Sequence, residues 1–173
     1  MMSDDKEDGI VNRVANSGII QLELDRFYQI GDRVQIDLAE LLERGFLLRE
    51  KTIRDFIDST DWSIYAGKFV AVHCSADAVI PSWAYMLIGS VLAPYARVVV
   101  HGNLLRLEEQ LFSMAMDKED WSGYSEARVM VKGCGRVEVP EGAFMEATRR
   151  LRPFARSIMF GEACSSVPVY KKK

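Results

Sequence analysis

The chain has 173 residues, 49% of them hydrophobic and 27% charged, with a formal net charge of -3 and a pI near 5.5. This is the composition of an ordinary globular protein long enough to bury a sizeable core, and its acidic balance argues against a cationic surface for nucleic acid or an anionic membrane. No apolar run approaches a membrane span and the acidic start Met1-Met2-Ser3-Asp4-Asp5-Lys6-Glu7-Asp8 is the opposite of a signal peptide, while an odd count of 3 cysteines fits reduced thiols, so the expected location is the cytoplasm.

Residues 1–9 are predicted to be a disordered acidic tail, and residues 10–173 a single α/β domain. After a short helical or turn segment from Ile10 to Asn16, Gly18 to Leu24 alternates apolar and polar residues, as does Arg33 to Leu38, with Gly31-Asp32 as a turn. This pattern predicts an N-terminal β-hairpin. Glu50 to Asp58 places Ile53, Phe56 and Ile57 on one face and reads as an amphipathic helix.

Residues 61–103 then align without a gap on residues 120–162. Of 43 aligned positions 14 are identical: Asp61/Asp120, Trp62/Trp121, Ser63/Ser122, Tyr65/Tyr124, Val70/Val129, Val72/Val131, Pro81/Pro140, Ala84/Ala143, Met86/Met145, Leu92/Leu151, Pro94/Pro153, Ala96/Ala155, Arg97/Arg156 and Gly102/Gly161. Ordinary composition gives about 2 to 4 by chance, so the chain carries a tandem duplication. Each copy reads as a turn, a strand (Phe69 to Cys74; Arg128 to Lys132), a helix opened by Pro81 or Pro140, and a second strand (Val98 to His101; Ser157 to Phe160). Between the copies, Leu104 to Met116 reads as a connecting helix, and the closing lysines are expected to be solvated.

A strand-helix-strand unit joins parallel strands by a right-handed crossover. The predicted fold is therefore α/β, with internally duplicated units forming a mostly parallel sheet under flanking helices. A pseudo-twofold predicts strand order 2-1-3-4 among the repeat strands, with the ligand crevice at the carboxyl ends of the two first strands. Cys74 and Cys134 fall there, Cys164 follows the last strand, and His101 ends a second strand.

Cys74, Cys134 and Cys164 have two readings: a thiolate cluster, with His101 as a fourth ligand to a metal ion, or buried cysteines acting as small hydrophobes. No Cys-x-x-Cys pair is present. The loops that follow the first strands supply Ser75 and Asp77 in one copy and Arg136 and Glu138 in the other, either as a ligand or acid-base site or as solvated and capping groups. His73 faces away from Cys74 on strand alternation and reads as packing or surface. Trp62 and Trp121 read as structural, and Met86 and Met145 as core.

The runs Val72-His73-Cys74-Ser75-Ala76-Asp77-Ala78-Val79-Ile80-Pro81 and Ser157-Ile158-Met159-Phe160-Gly161-Glu162-Ala163-Cys164-Ser165-Ser166-Val167-Pro168, with Lys132-Gly133-Cys134-Gly135, resemble an uncharacterised bacterial family catalogued as domain of unknown function 2480. The resemblance brings no activity. It implies an accessory role near iron–sulfur assembly. The favoured expectation is a cytoplasmic accessory or binding protein that handles a metal or sulfur species at a cysteine-bearing sheet edge. Its alternatives are a small cysteine-dependent enzyme, with Cys74 or Cys134 as nucleophile, and a structural or interaction module. A metal ion is the one cofactor these residues suggest, and a protein partner or a second copy the expected partners.

Overall fold

The structure, a computed structural model, describes residues 18–132, 135–162 and 165–173. Cys134 and Cys164, and the segment predicted at residues 10–16, lie outside them. The elements run β1 (Ile19–Glu23), β2 (Arg33–Asp37), α1 (Glu50–Ser59), β3 (Phe69–His73), α2 (Ser82–Leu92), β4 (Val98–His101), α3 (Leu104–Met116), β5 (Arg128–Lys132), α4 (Glu141–Leu151), β6 (Ser157–Glu162) and β7 (Ser165–Lys171). The chain is α/β and its described residues divide into two compact units, one of residues 27–118 and one of residues 18–26 with those described from 119 to 173.

The first unit holds a parallel sheet of order β2-β3-β4. Side chains alternate across it as the pleat requires. Ile36, Val70, Val72 and Val99 face α1 and α2, where they pack with the buried Ile53, Ala84, Ile88 and Leu92. Phe69, Ala71, Val98 and Val100 face α3, packing on Leu107 and Leu111. At the start of α3, the Asn103 side chain accepts the Arg106 amide hydrogen, satisfying one of the donors that a helix start leaves open.

The second unit holds a sheet of order β1-β5-β6-β7, parallel except for β7, which runs antiparallel to β6. Leu22, Val129, Val131, Ala143, Ala147, Leu151 and Ile158 are buried in it.

Both N-terminal strands are present, but their partners differ from the predicted hairpin. β1 adds in parallel to β5, and β2 adds in parallel to β3. The registers are equivalent, because Ile19 opposes Arg128 while Arg33 opposes Phe69, the counterpart of Arg128 in the duplication. Each N-terminal strand thus adds an edge strand beside the first strand of one copy. Residues 24–32, which open with a 3-10 turn over Leu24–Phe27, exceed the two- to five-residue turn that a hairpin prefers. The predicted order 2-1-3-4 is corrected for the same reason. The flank of β3 or β5 that a pseudo-twofold assigned to the other copy is occupied by β2 or β1.

The shared residues build scaffold. Asp61 and Asp120 each accept the amide and hydroxyl hydrogens of the serine two residues on, at 3.0 and 2.6 Å in both copies, and these bonds hold both carboxyls below their ordinary range. Trp62 and Trp121 are buried, each beside the tyrosine of its own motif. Met86 and Met145, expected in the core, stand 73% and 76% exposed. The helix stripe that meets the sheet is Ala84, Ile88 and Leu92 or Ala143, Ala147 and Leu151, and a residue two positions from its first member points away.

Candidate functional site

The carboxyl edge of β2-β3-β4 collects Asp37, His73, Cys74 and His101 at its strand ends, with Tyr85 from the first turns of α2. Asp37 organises one flank. Its Oδ1 accepts the amide hydrogens of Ala39 and Ser75, each at 2.9 Å, so the loop after β3 is tied to the end of β2. Burial pushes the Asp37 carboxyl up, but the Ser75 side chain, the two amides and the neighbouring His73 outweigh it and hold the carboxyl below its ordinary range. His73 opposes Asp37 in register. Its Nε2 is buried, makes no hydrogen bond, and lies 3.8 Å from Asp37 Oδ2.

The other flank faces α2. Cys74 is a half-buried free thiol whose Sγ lies 3.7 Å from the Ala76 carbonyl oxygen. Tyr85 and His101 meet edge to face, with centroids 4.6 Å apart and planes at 79°. Burial, and then the nearby Cys74 and Asp37, push the Tyr85 phenol up. This phenol keeps its proton and can donate a hydrogen bond at neutral pH.

The second unit is a control built by the same chain. Its aromatic pair is Phe144 and Phe160, at 5.7 Å and 85°, in place of Tyr85 and His101. The counterpart of His73 is Lys132, whose Nζ lies 3.5 Å from Glu23 and 3.6 Å from Glu162. Arg136 and Glu138 are exposed, and the Arg136 amide donates to Asp25 Oδ2 at 3.2 Å. A Cβ added at Gly135 would stand 2.9 Å from the Asp25 side chain, so glycine permits this approach. Beside the Phe pair, an open groove of about 710 Å³ runs between α4, β6 and β7. Val131, Phe144, Met145, Ile158 and Val169 line it, and Glu141 and Arg149 supply its charges.

The structure brings together Cys74, Ser75 and His101 among the residues singled out in the sequence, and it leaves Asp77 exposed in the same loop. Among the described residues, no group of three or more His, Cys, Asp or Glu side chains is placed to hold a metal ion. Asp37 and Tyr85 were not anticipated. A signal for Tyr85 was available, since it pairs with Phe144 in the duplication, and one polar member of a conserved aromatic pair marks where the copies differ.

Among the described residues no helix is long and apolar enough to cross a membrane. Neither a curated protein nor a solved structure matches the chain. The family model described as protein of unknown function, DUF2480, matches residues 8–172, and the chain belongs to that family.

Proposed function

We propose that this is a cytoplasmic accessory protein that handles a sulfur species at the carboxyl edge of β2-β3-β4, with Cys74 as the working thiol. The observation that supports the reading is the buried His73 Nε2, which makes no hydrogen bond and has the Asp37 carboxylate 3.8 Å away, at the strand end that leads into Cys74. Two of the residues named for a metal, Cys134 and Cys164, lie outside the described residues, and the reading is built on the thiol that is described, Cys74. In the simplest step the Cys74 thiolate attacks the outer sulfur of a donor persulfide, forms a new S–S bond, and releases the donor as its thiolate. Asp37 holds the loop, while Tyr85 and His101 flank the thiol with a proton donor and an imidazole.

Incubation with a small-molecule persulfide, followed by mass spectrometry of the Cys74 peptide, tests this. The expected result is a gain of one sulfur on Cys74, at least tenfold reduced in the Tyr85→Phe/His101→Phe variant and absent in Cys74→Ser. No added sulfur on wild-type Cys74 overturns the reading.

The groove beside α4 supports a second reading, an interaction module. Met145, Phe160, Val167 and Val169 are 76%, 42%, 62% and 50% exposed around it, a patch of the kind that marks contact surfaces. If Met145→Glu leaves every association of the protein in its own cells unchanged in pull-down, that reading fails.

A further inference from the structure

Among the described residues the outer edge of β4 has no strand partner, where the equivalent edge of the other unit is covered. In the duplication β4 matches β6, and β6 carries antiparallel β7 along its outer side, with the Lys172 amide donating to the Arg156 carbonyl at 2.8 Å. Arg97 is the counterpart of Arg156. β4 ends its sheet. Its outer side opens into a groove of about 530 Å³ lined by all five residues from Arg97 to His101, with Arg106, Gln110 and Met114 from α3.

Exposed strand edges are templates for further pairing, and proteins blunt them with charges or proline. β7 has Pro168 and Lys171, β1 has Glu23, and β2 has Arg33 and Asp37. β4 reads Val98-Val99-Val100-His101, with no proline, lysine or carboxylate. The Gly102 amide donates inward to the Val72 carbonyl at 2.9 Å, so by alternation the Val99 and His101 amides point out into the groove.

We propose that the outer edge of β4 receives an extended, acidic segment of a partner protein as an added antiparallel strand, occupying the slot that β7 fills in the other unit. Backbone hydrogen bonds to the Val99 and His101 amides would fix register, as in other strand-addition complexes. The choice of occupant follows from charge: Arg97, which donates to the Ile30 carbonyl, and Arg106, whose partner is Glu109 at 3.3 Å, bracket the groove, and among the described residues no carboxylate lines it, which leaves its net charge positive. A second copy pairing β4 with β4 would instead bring two like-charged edges together, which is unfavourable. This inference is independent of Cys74.

The test uses the full chain, labelled with nitrogen-15, and two capped peptides, Glu-Val-Thr-Val-Glu and Lys-Val-Thr-Val-Lys. The acidic peptide is expected to give saturable amide shifts and slowed hydrogen exchange at Val99 and His101, binding at least tenfold more tightly than the basic one. Arg106→Glu should reverse that preference, and Val99→Pro, which removes an outward N–H without touching β3, should abolish binding. Absence of shifts at millimolar acidic peptide, equal affinity for both peptides, or sedimentation showing a dimer that Val99→Pro dissolves would each overturn the proposal.

Discussion

Replacing Asp37 by alanine tests whether one carboxylate holds the candidate site together. The side chain accepts two amide hydrogens at 2.9 Å, one at the start of the 3-10 turn over Leu38–Leu41 and one at the head of the loop carrying Cys74 and Ser75. Losing a cap of the first kind costs about 1 kcal/mol. The second bond, also to a charged acceptor, is worth about 1 to 2 kcal/mol, and because the side chain is 23% exposed water recovers part of it. The expected loss at pH 7 is about 2 to 3 kcal/mol, or roughly 4 to 12 °C in Tm for a chain of this size. Its pH dependence has a definite sign. The folded carboxyl titrates below the ordinary value of 3.8, so its contribution is complete above that value and fades as the pH falls through the lower, folded one. Urea denaturation of Asp37→Ala beside wild type, followed by tryptophan fluorescence at pH 7 and pH 3, measures both quantities. A difference below about 0.5 kcal/mol at pH 7, or one as large at pH 3 as at pH 7, would refute the reasoning.

Ile88→Ala, at a position with no exposure in the first core, should destabilise by about 2 to 5 kcal/mol in chemical denaturation, the cost of an unfilled cavity. Gly161→Ala should lower Tm more than Gly102→Ala. Both glycines have positive φ, 121° and 134°, but the new Cβ meets the Ser165 backbone oxygen at 2.5 Å in the first case and only the Arg106 side chain in the second. Glu146, drawn down to about 2 chiefly by Arg149, with Arg150 adding to it, should show a carboxyl midpoint well below the ordinary 4.5 in an NMR titration, and Arg149→Gln should move it upward. That pair stabilises the fold above pH 4.5 and loses its contribution as the pH falls toward 2.

The repeat strands and helices were legible because their pattern is local. Val98–His101, Arg128–Lys132 and Leu104–Met116 fall where valine runs and the spacing of Leu104, Leu107 and Leu111 put them. Pairing was not local. β1 and β2 alternate in the same way and share Gln21/Gln35 and Leu24/Leu38 at a fourteen-residue offset, and nothing within either strand says which copy it joins. β7 was missed because Val167-Pro168-Val169 carries a proline, tolerated on an edge and a strand-breaking signal elsewhere. Within the site, Cys74 and His101 were placed by topology. Asp37 enters only through a parallel pairing that brings it beside His73, thirty-six residues further along the chain.

The two units differ in chemistry at the carboxyl edges of their sheets. The second unit shows that the same architecture closes with two phenylalanines and a lysine bridged by two glutamates. The shared architecture is therefore built with more than one side-chain set at these positions. In the first unit the corresponding His73 Nε2 is buried without a hydrogen bond, with the Asp37 carboxylate 3.8 Å away. Both copies started from one sequence, and the positions that kept Asp-Trp-Ser-x-Tyr, the helix-opening proline and the strand-ending glycine kept them for geometry. At the carboxyl edge the described positions separated instead, Phe144, Phe160 and Lys132 in one copy answering Tyr85, His101 and His73 in the other. These differences fall at the edge where open α/β sheets hold ligands.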